Sequence, residues 1–422
     1  MTFLTAFLSH ARADRTFVER VADALTRRGI LVWLDSEQLV LGGDLSGELR
    51  RSIERQSTIV TFVSESAITR EWVNDEWAHA IERSERDPES VLPVFMGAPL
   101  ALVQRHDVLR RHWLHPDGDR VKKLGHVVSS ETPTDEDSEQ AAREIARAIY
   151  ARHELSKQRE VAVVLDQRGD GTRIGEPPGL TPAIRSLEIP CLVFRPDRGS
   201  RANKETLTGE AWEAFVGDID ESLRAGLSGE QGKTVRLLGR SQLALPLWFG
   251  RRLQRSTWTI LFAYGGPRAE CFSNKGWGFL APPQGGDAAC TKRTPHLTPP
   301  KTGAACPHIA LALCPANRLL DIRDYLKSVD AAPKHGLWIE TGILASSDQV
   351  KTLVANSVAL LEELRDRFGT RRVSLFSALP FHALPLLGAA LDQVGVQLTF
   401  MEYAAGQDKS LSPAETYVGI EL

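Results

Sequence analysis

The residues with the most obvious capacity for chemistry are Trp72 and Glu76, four apart in Arg70-Glu71-Trp72-Val73-Asn74-Asp75-Glu76-Trp77. On a helix that spacing puts an indole and a carboxylate on one face. A carboxylate beside an apolar wall suits a reaction that develops positive charge, because fixed negative charge is worth more where water is excluded. The surrounding residues predict where the pair sits. Ile59-Val60-Thr61-Phe62-Val63 is an unbroken apolar run, the pattern of a strand buried on both faces. Thr69 suits the cap of the helix that follows, and Glu71 its positive first turn. Val73, Trp77, Ala80 and Ile81 recur at helical spacing and predict the face that packs on the sheet. Trp72 and Glu76 are thereby expected at the carboxyl end of a buried strand, where open α/β sheets bind ligands.

The elements that would position them alternate. Phe3 to Leu8 is a short apolar strand, and Ser9 to Asp14 is the turn after it. Phe17, Val18, Val21, Ala24 and Leu25 mark a helix that stops at Gly29, and Ile30 to Leu34 is a second strand. Asp35 to Asp44 is a loop with a Gly42-Gly43 hinge, and Leu45, Leu49 and Ile53 mark a second helix. After the Trp72–Glu76 helix, Val91-Leu92-Pro93-Val94-Phe95 is a further strand, and Leu100 to Leu114 a closing helical piece. Strand and helix in strict alternation predict a parallel sheet of flavodoxin-like order.

Five segments here resemble the successive signatures of a TIR domain: Phe7-Leu8-Ser9-His10, Gly29 to Asp35, Gly42-Gly43-Asp44-Leu45, Phe62-Val63-Ser64 and Trp72 to Glu76. The resemblance covers roughly residues 1–125 and keeps the family's order. It implies NAD+ glycohydrolase activity, with Glu76 as the catalytic glutamate. It further implies Trp33 against the substrate and Phe7, Ser9 and His10 on the pocket loop. Arg12, Asp35 and Trp72 complete the expected NAD-binding set. The family often carries a basic residue directly after the position of His10; this chain has Ala11 there, with Arg12 next. The loop from Asp35 to Asp44 corresponds to one that, in the family, gates the pocket and joins TIR domains to one another.

Ser129 to Glu139 is polar and acidic and is expected to be a linker; Ala141 to Leu155 is expected to be a bridging helix, so 126–160 is assigned as the connection. The remainder, 161–422, holds an internal duplication. Ala244-Leu245-Pro246-Leu247, after the strand-like Val235 to Leu238, returns as Ala383-Leu384-Pro385-Leu386 after Val373 to Phe376. A helix glycine follows each, Gly250 and Gly388. Two α/β lobes are expected, about 161–300 and 301–422. Small residues leading from a strand into a helix N-terminus can hold a phosphate or a base edge. Two copies of that turn suit a ligand that is itself repetitive. The pattern resembles the SAVED domain, a fused pair of CARF-like Rossmann units that senses cyclic oligonucleotides.

That second resemblance makes Gly239, Ser241 and Gln242 in the first turn, and Ser377, Ala378, Pro380, Phe381 and His382 in the second, candidate ligand contacts. Arg195, Arg198, Arg201, Lys204 and Lys275 are candidate phosphate partners, and Trp277, Trp338 and Tyr403 candidate stacking partners. Together the resemblances imply a TIR–SAVED effector of CBASS anti-phage defence. In it a cyclic oligonucleotide, cyclic tri-adenylate first among them, activates NAD+ destruction by driving self-association into oligomers or filaments. The alternative is a non-catalytic TIR scaffold under cyclic-nucleotide control.

Bulk properties narrow the field. With 422 residues the chain exceeds one typical core. A formal net charge of -3 gives no basic field for duplex nucleic acid or an anionic membrane. The five cysteines form no Cys-x-x-Cys pair, so neither a metal site nor a disulfide framework is expected. The N-terminus lacks a basic segment followed by a long apolar one, and no stretch reads as a membrane span. The expectation is a cytoplasmic protein with NAD+ as substrate and no bound cofactor.

Overall fold

The computed structural model describes residues 2–34, 57–69, 77, 81–82, 85–122, 125–130, 132–167, 189–196, 207–228, 233–254, 259–263, 271–272, 305–341, 347–379, 383–403 and 412–422. In chain order the elements of the first part are β1 (Thr2–Phe3), β2 (Thr5–Ser9), α1 (Arg15–Arg27), β3 (Leu31–Leu34), β4 (Thr58–Val63), β5 (Val91–Met96), α2 (Pro99–Arg105), α3 (Asp107–Trp113), β6 (His126–Val128) and α4 (Asp135–Arg152). β2 to β6 form a five-stranded sheet in the order β3-β2-β4-β5-β6. Every neighbouring pair is parallel, which makes this the flavodoxin-like arrangement the alternation predicts. All six residues of β4 are buried, as its apolar run requires of a central strand.

Three local expectations are corrected. The apolar run Phe3 to Leu8 is two strands in two sheets. β1 leaves the first sheet and pairs in parallel with Pro190 and Cys191. Leu4 makes the transfer: its N–H donates to the Cys191 carbonyl at 3.2 Å, while its own carbonyl accepts from Leu31 N at 2.9 Å. The acidic run Ser129 to Glu139 is only partly a connection, because Asp135, Glu136 and Asp137 are the first turn of α4. Thr134 and Asp137 form a reciprocal capping box there, and acidic side chains suit the helix's positive end. The closing helical piece is two helices broken at His106, whose Nδ1 accepts from Leu109 N at 3.3 Å and caps the second. The expected helix of Leu45, Leu49 and Ile53 lies outside the described residues.

The second part begins with β7 (Glu160–Asp166), β8 (Pro190–Phe194), α5 (Gly209–Leu227), β9 (Thr234–Arg240), α6 (Ala244–Gln254), β10 (Thr259–Ala263) and β11 (Cys271–Phe272). It continues with β12 (His308–Cys314), α7 (Leu319–Ser328), β13 (Gly336–Glu340), α8 (Ser347–Phe368), β14 (Arg372–Ser377), α9 (Leu384–Leu391), β15 (Gln397–Tyr403) and β16 (Tyr417–Glu421). The sheet orders are β1-β8-β7-β9-β10-β11 and β13-β12-β14-β15-β16. With β1 set aside, the two have one connectivity. Each ends in an antiparallel strand, β11 on β10 and β16 on β15. The duplication is therefore one of whole α/β lobes.

The repeated glycines have a structural reason. A Cβ on Gly250 would lie 1.9 Å from the Pro385 carbonyl oxygen, and one on Gly388 would lie 2.0 Å from the Leu247 carbonyl oxygen. α6 and α9, the two copies of one helix, thus cross with backbone against backbone, which only residues without side chains allow. The core of the later lobe is aromatic. Phe376 and Tyr417 meet edge to face with centroids 5.0 Å apart, and Tyr325 and Trp338 join the same cluster.

The chain divides into two compact units, one of Met1–Val164, Gly171–Ser200 and Gly217–Glu230, the other of Leu165–Asp170, Arg201–Val216 and Gln231–Leu422.

Candidate functional site

Adjacent parallel strands β2 and β3 set Phe7 opposite Trp33. Both face one apolar cluster that also holds Trp77, Ile81, Phe95 and Trp113; Phe7 is fully buried in it and Trp33 packs against it half-buried. The helical stripe predicted for Trp77 and Ile81 is thus present, with Trp77 edge-on to His106 at 5.2 Å. Glu76, Trp72 and Asp35 lie outside the described residues, as do Val73 and Ala80.

Ser9, the last residue of β2, and His10 after it are buried, and His10 Nδ1 lies 3.3 Å from the Leu8 carbonyl oxygen. Arg12 is exposed and opens a short 3-10 turn that ends at Asp14. Asp14 is one residue that sequence reasoning misses. The Ser64 hydroxyl, just past β4, donates to Asp14 Oδ2 at 2.6 Å and accepts from Ala67 N at 3.0 Å. Two chain segments that leave the carboxyl edge of the sheet are thereby pinned to each other. Burial raises the Asp14 carboxyl above its usual range, against the Ser64 hydrogen bond that lowers it. The only sequence signal for this was an acidic residue in a turn after a strand, which is too common to single out.

In the first duplicated lobe the turn after β9 is built tightly. Gly239 has φ +153°, and a Cβ there would lie 2.2 Å from the Leu165 carbonyl oxygen. Ser241 is buried, and its hydroxyl donates to the Gln242 carbonyl at 3.0 Å. Gln242 is buried and its amide is engaged within the protein. Oε1 accepts from Leu207 N at 2.8 Å and Gln167 Nε2 at 2.7 Å, and Nε2 donates to the Leu207 carbonyl at 3.2 Å. The N-terminus of α6 also has a partner already. Both oxygens of buried Glu402 accept from it, Oε1 from Leu243 N at 3.0 Å and Oε2 from Ala244 N at 2.9 Å. The helix end that the sequence offers to a phosphate carries a protein carboxylate instead.

In the second lobe Ser377 is half-buried and accepts from Leu379 N at 3.2 Å, while Ala378 is exposed. Trp338 is buried, its Nε1 donating to the Cys314 carbonyl at 2.9 Å. Tyr403, at the carboxyl end of β15, is half-buried, and the Arg318 guanidinium lies over its ring at 4.8 Å. Arg318 was not singled out from the sequence, since a lone arginine after a strand and a proline carries no pattern. Arg195 follows β8 half-buried, its N–H donating to the Thr26 carbonyl at 3.3 Å. Arg198, Arg201, Lys204, Lys275, Trp277, Pro380, Phe381 and His382 lie outside the described residues. Cys191, Cys306 and Cys314 are buried and in no disulfide, and burial pushes Cys314 up to about 12. Among the described residues no helix is long and apolar enough to cross a membrane.

Residues 6–125 match the family described as TIR domain. The NAD(+) hydrolase TcpC of Escherichia coli O6:H1 is 23% identical over 151 residues, which cover 35% of this chain and 43% of that protein. The probable 2' cyclic ADP-D-ribose synthase TcpO of Methanobrevibacter olleyae is 26% identical over 102 residues, 24% of this chain and 30% of that protein. This chain thus spans less than half the length of these curated relatives. Among solved structures, the SAVED/CARF-domain containing receptor Cap4 of Acinetobacter baumannii, with the cyclic trinucleotide 2'3'3'-cAAA, aligns over 91% of this chain and 86% of its own, at 10% identity and a TM-score of 0.42. The five-stranded parallel sheet and the family match agree on one statement: residues 6–125 are a TIR domain.

Proposed function

We propose that this chain cleaves NAD+ under the control of a cyclic oligonucleotide. The TIR domain over residues 6–125 carries the reading, since the chain's Trp72–Glu76 motif stands within it. Two of the relatives are named as a NAD(+) hydrolase and a probable cyclic ADP-ribose synthase, which supports the same chemistry here.

The reaction asks little of the protein in proton transfer. Breaking the bond between the ribose C1' and the nicotinamide nitrogen returns the bonding pair to a pyridinium nitrogen, so nicotinamide leaves neutral. Positive charge builds on the ribose, as in glycoside cleavage generally. Glu76 supplies the negative charge that stabilises it. Water then adds at C1' and gives up a proton, leaving ADP-ribose. Trp33, beside Phe7, supplies an apolar wall.

Two α/β lobes of one connectivity suit a ligand made of repeated units, and the SAVED-like turn motifs support a cyclic oligonucleotide as the activator. Binding drives self-association, in which the Asp35–Asp44 loop joins neighbouring TIR domains. The setting is CBASS anti-phage defence in the cytoplasm. The test is nicotinamide release from NAD+ by wild type and Glu76→Gln, offered a panel of cyclic di- and trinucleotides. Release by wild type and not by the variant is expected. Equal release by both removes Glu76 from the chemistry, and no release by either leaves the TIR domain a contact scaffold. Light scattering that stays flat on adding an activating ligand removes assembly.

A further inference from the structure

α5 is tied just before its start and again from its midpoint, and the ties differ in kind. Its start follows Leu207, whose N–H and carbonyl are both held by the Gln242 amide at 2.8 and 3.2 Å. Gln242 is itself fixed by Gln167, which donates to its Oε1 at 2.7 Å and accepts from its N–H at 2.9 Å. Every bond in this lock is neutral. From Asp218, midway along it, α5 enters a cluster of full charges. Asp218 accepts from Arg27 Nε at 2.6 Å and pairs with Arg28 Nη2 at 2.9 Å. Glu139 of α4 bridges Arg27 and Arg28, and Glu221 accepts from Arg143 Nε at 3.2 Å. Arg28 is 2% exposed. The Tyr150 hydroxyl donates to its carbonyl at 2.5 Å. Arg27 and Arg28 end α1 of the TIR domain, so this helix is held directly by α5. The same corner is fastened a second time, as Val193 N of β8 donates to the Gly29 carbonyl at 2.9 Å and β1 pairs with β8. The division between the two compact units falls inside α5, after Val216.

We propose that α5 is a coupling bar, with the Gln167–Gln242–Leu207 lock as its switch and the Arg27–Arg28–Glu139–Asp218 cluster as its fixed joint. The proposal rests on the functional reading above for the ligand and for the activity it governs. Bond strength assigns the roles. Neutral hydrogen bonds exchange with those of water or a ligand at little net change, whereas removing a partner from a buried ion pair strands a charge. Gln242 holds Leu207 through one donor and one acceptor, the same pair a glutamine offers to the N6 and N7 edge of adenine. A base arriving at the turn after β9 can take the amide from Leu207 without leaving it unpaired. Leu207 is half-buried, so its freed N–H and carbonyl can pass to water. The start of α5 is then released while Asp218, at its midpoint, still holds α1.

The test uses the full chain with Gln167→Met, Gln242→Glu and Asp218→Asn, followed by amide hydrogen exchange and nicotinamide release. Without ligand, Gln167→Met and Gln242→Glu are expected to lose protection over 207–216 and keep it over 217–227. They are expected to raise ligand-free release at least about 5-fold. Asp218→Asn is expected to bind cyclic tri-adenylate in calorimetry as wild type does, yet to lose at least about 5-fold of the activation. Even loss of protection along α5, an opened start with no rise in release, or an Asp218→Asn protein that responds as wild type overturns the proposal. Wild type that releases no nicotinamide with any ligand overturns the functional reading and the regulatory half of this proposal, while the exchange profiles alone still decide whether the two ties are distinct.

Discussion

The contact between Asp14 and Ser64 is the most specific single-residue feature at the carboxyl edge of the TIR sheet, and its energetics have a definite sign. In the folded protein the Asp14 carboxyl keeps its proton to higher pH than in the unfolded chain, because burial outweighs the Ser64 hydrogen bond. Ionising it on folding therefore subtracts stability. The subtraction is absent below the unfolded value near 3.8 and complete above the raised folded one. Asp14→Asn keeps an acceptor for Ser64 and removes the charge. It is expected to be at least as stable as wild type in urea at pH 7, with any advantage shrinking as the pH falls towards 4. A variant less stable at pH 7 contradicts this. Ser64→Ala leaves the same carboxylate without its donor and is expected to lose about 1–3 kcal/mol in the same titration. On the proposed chemistry, Glu76→Gln removes the charge that stabilises the forming cation and is expected to cost roughly 10²-fold or more in kcat.

Among the elements, the paired helices α6 and α9 show what repetition in the sequence stood for. Gly250 and Gly388 are where each helix lies against the other's backbone, and a backbone carbonyl cannot swing aside as a flexible side chain can. Gly250→Ala and Gly388→Ala are each expected to lose about 1–3 kcal/mol or more in urea denaturation. Gly217→Ala in α5 is the control. A Cβ there meets nothing within 4 Å, so relief of helical glycine should stabilise by about 0.5–1 kcal/mol. The repeat was legible because a close crossing demands glycine at one place in each copy. Strands were legible where burial on both faces demanded unbroken apolar runs, as in β4, and β12 runs from His308 to Cys314 as its run implies. Legibility failed where the deciding partner is distant in sequence. Nothing within Phe3 to Leu8 says that its first residues belong to a strand with Cys191. The start of α4 was obscured for the opposite reason, since acidic residues serve equally well in a solvated connection and in a helix's first turn. Position marks Gln242 and Trp338 as candidate ligand groups, and only the fold discloses that their polar atoms are bonded within the chain to Leu207, Gln167 and Cys314.

The whole molecule joins a TIR domain to a pair of duplicated α/β lobes, and the proposed function assigns catalysis to the first and sensing to the second. Ligand binding to the duplicated half is expected to appear first as stability. A ligand at a hundred times its dissociation constant adds about 2.7 kcal/mol to the state that binds it. Cyclic tri-adenylate at that excess is therefore expected to raise the melting temperature of both wild type and Glu76→Gln. An unchanged melting temperature across a panel of cyclic oligonucleotides contradicts a sensing role for the lobes. Binding without chemistry is what Glu76→Gln should show, and this separates sensor from catalyst within one chain. The measurement that tests the account most directly is the initial rate of nicotinamide release from NAD+ by the full chain, with and without cyclic tri-adenylate and its relatives. The account predicts little release alone and a rise of at least about 10-fold with an activating ligand, within the usual range of coupling between sites. Release at one rate whatever cyclic oligonucleotide is added, or no release at all, would contradict it.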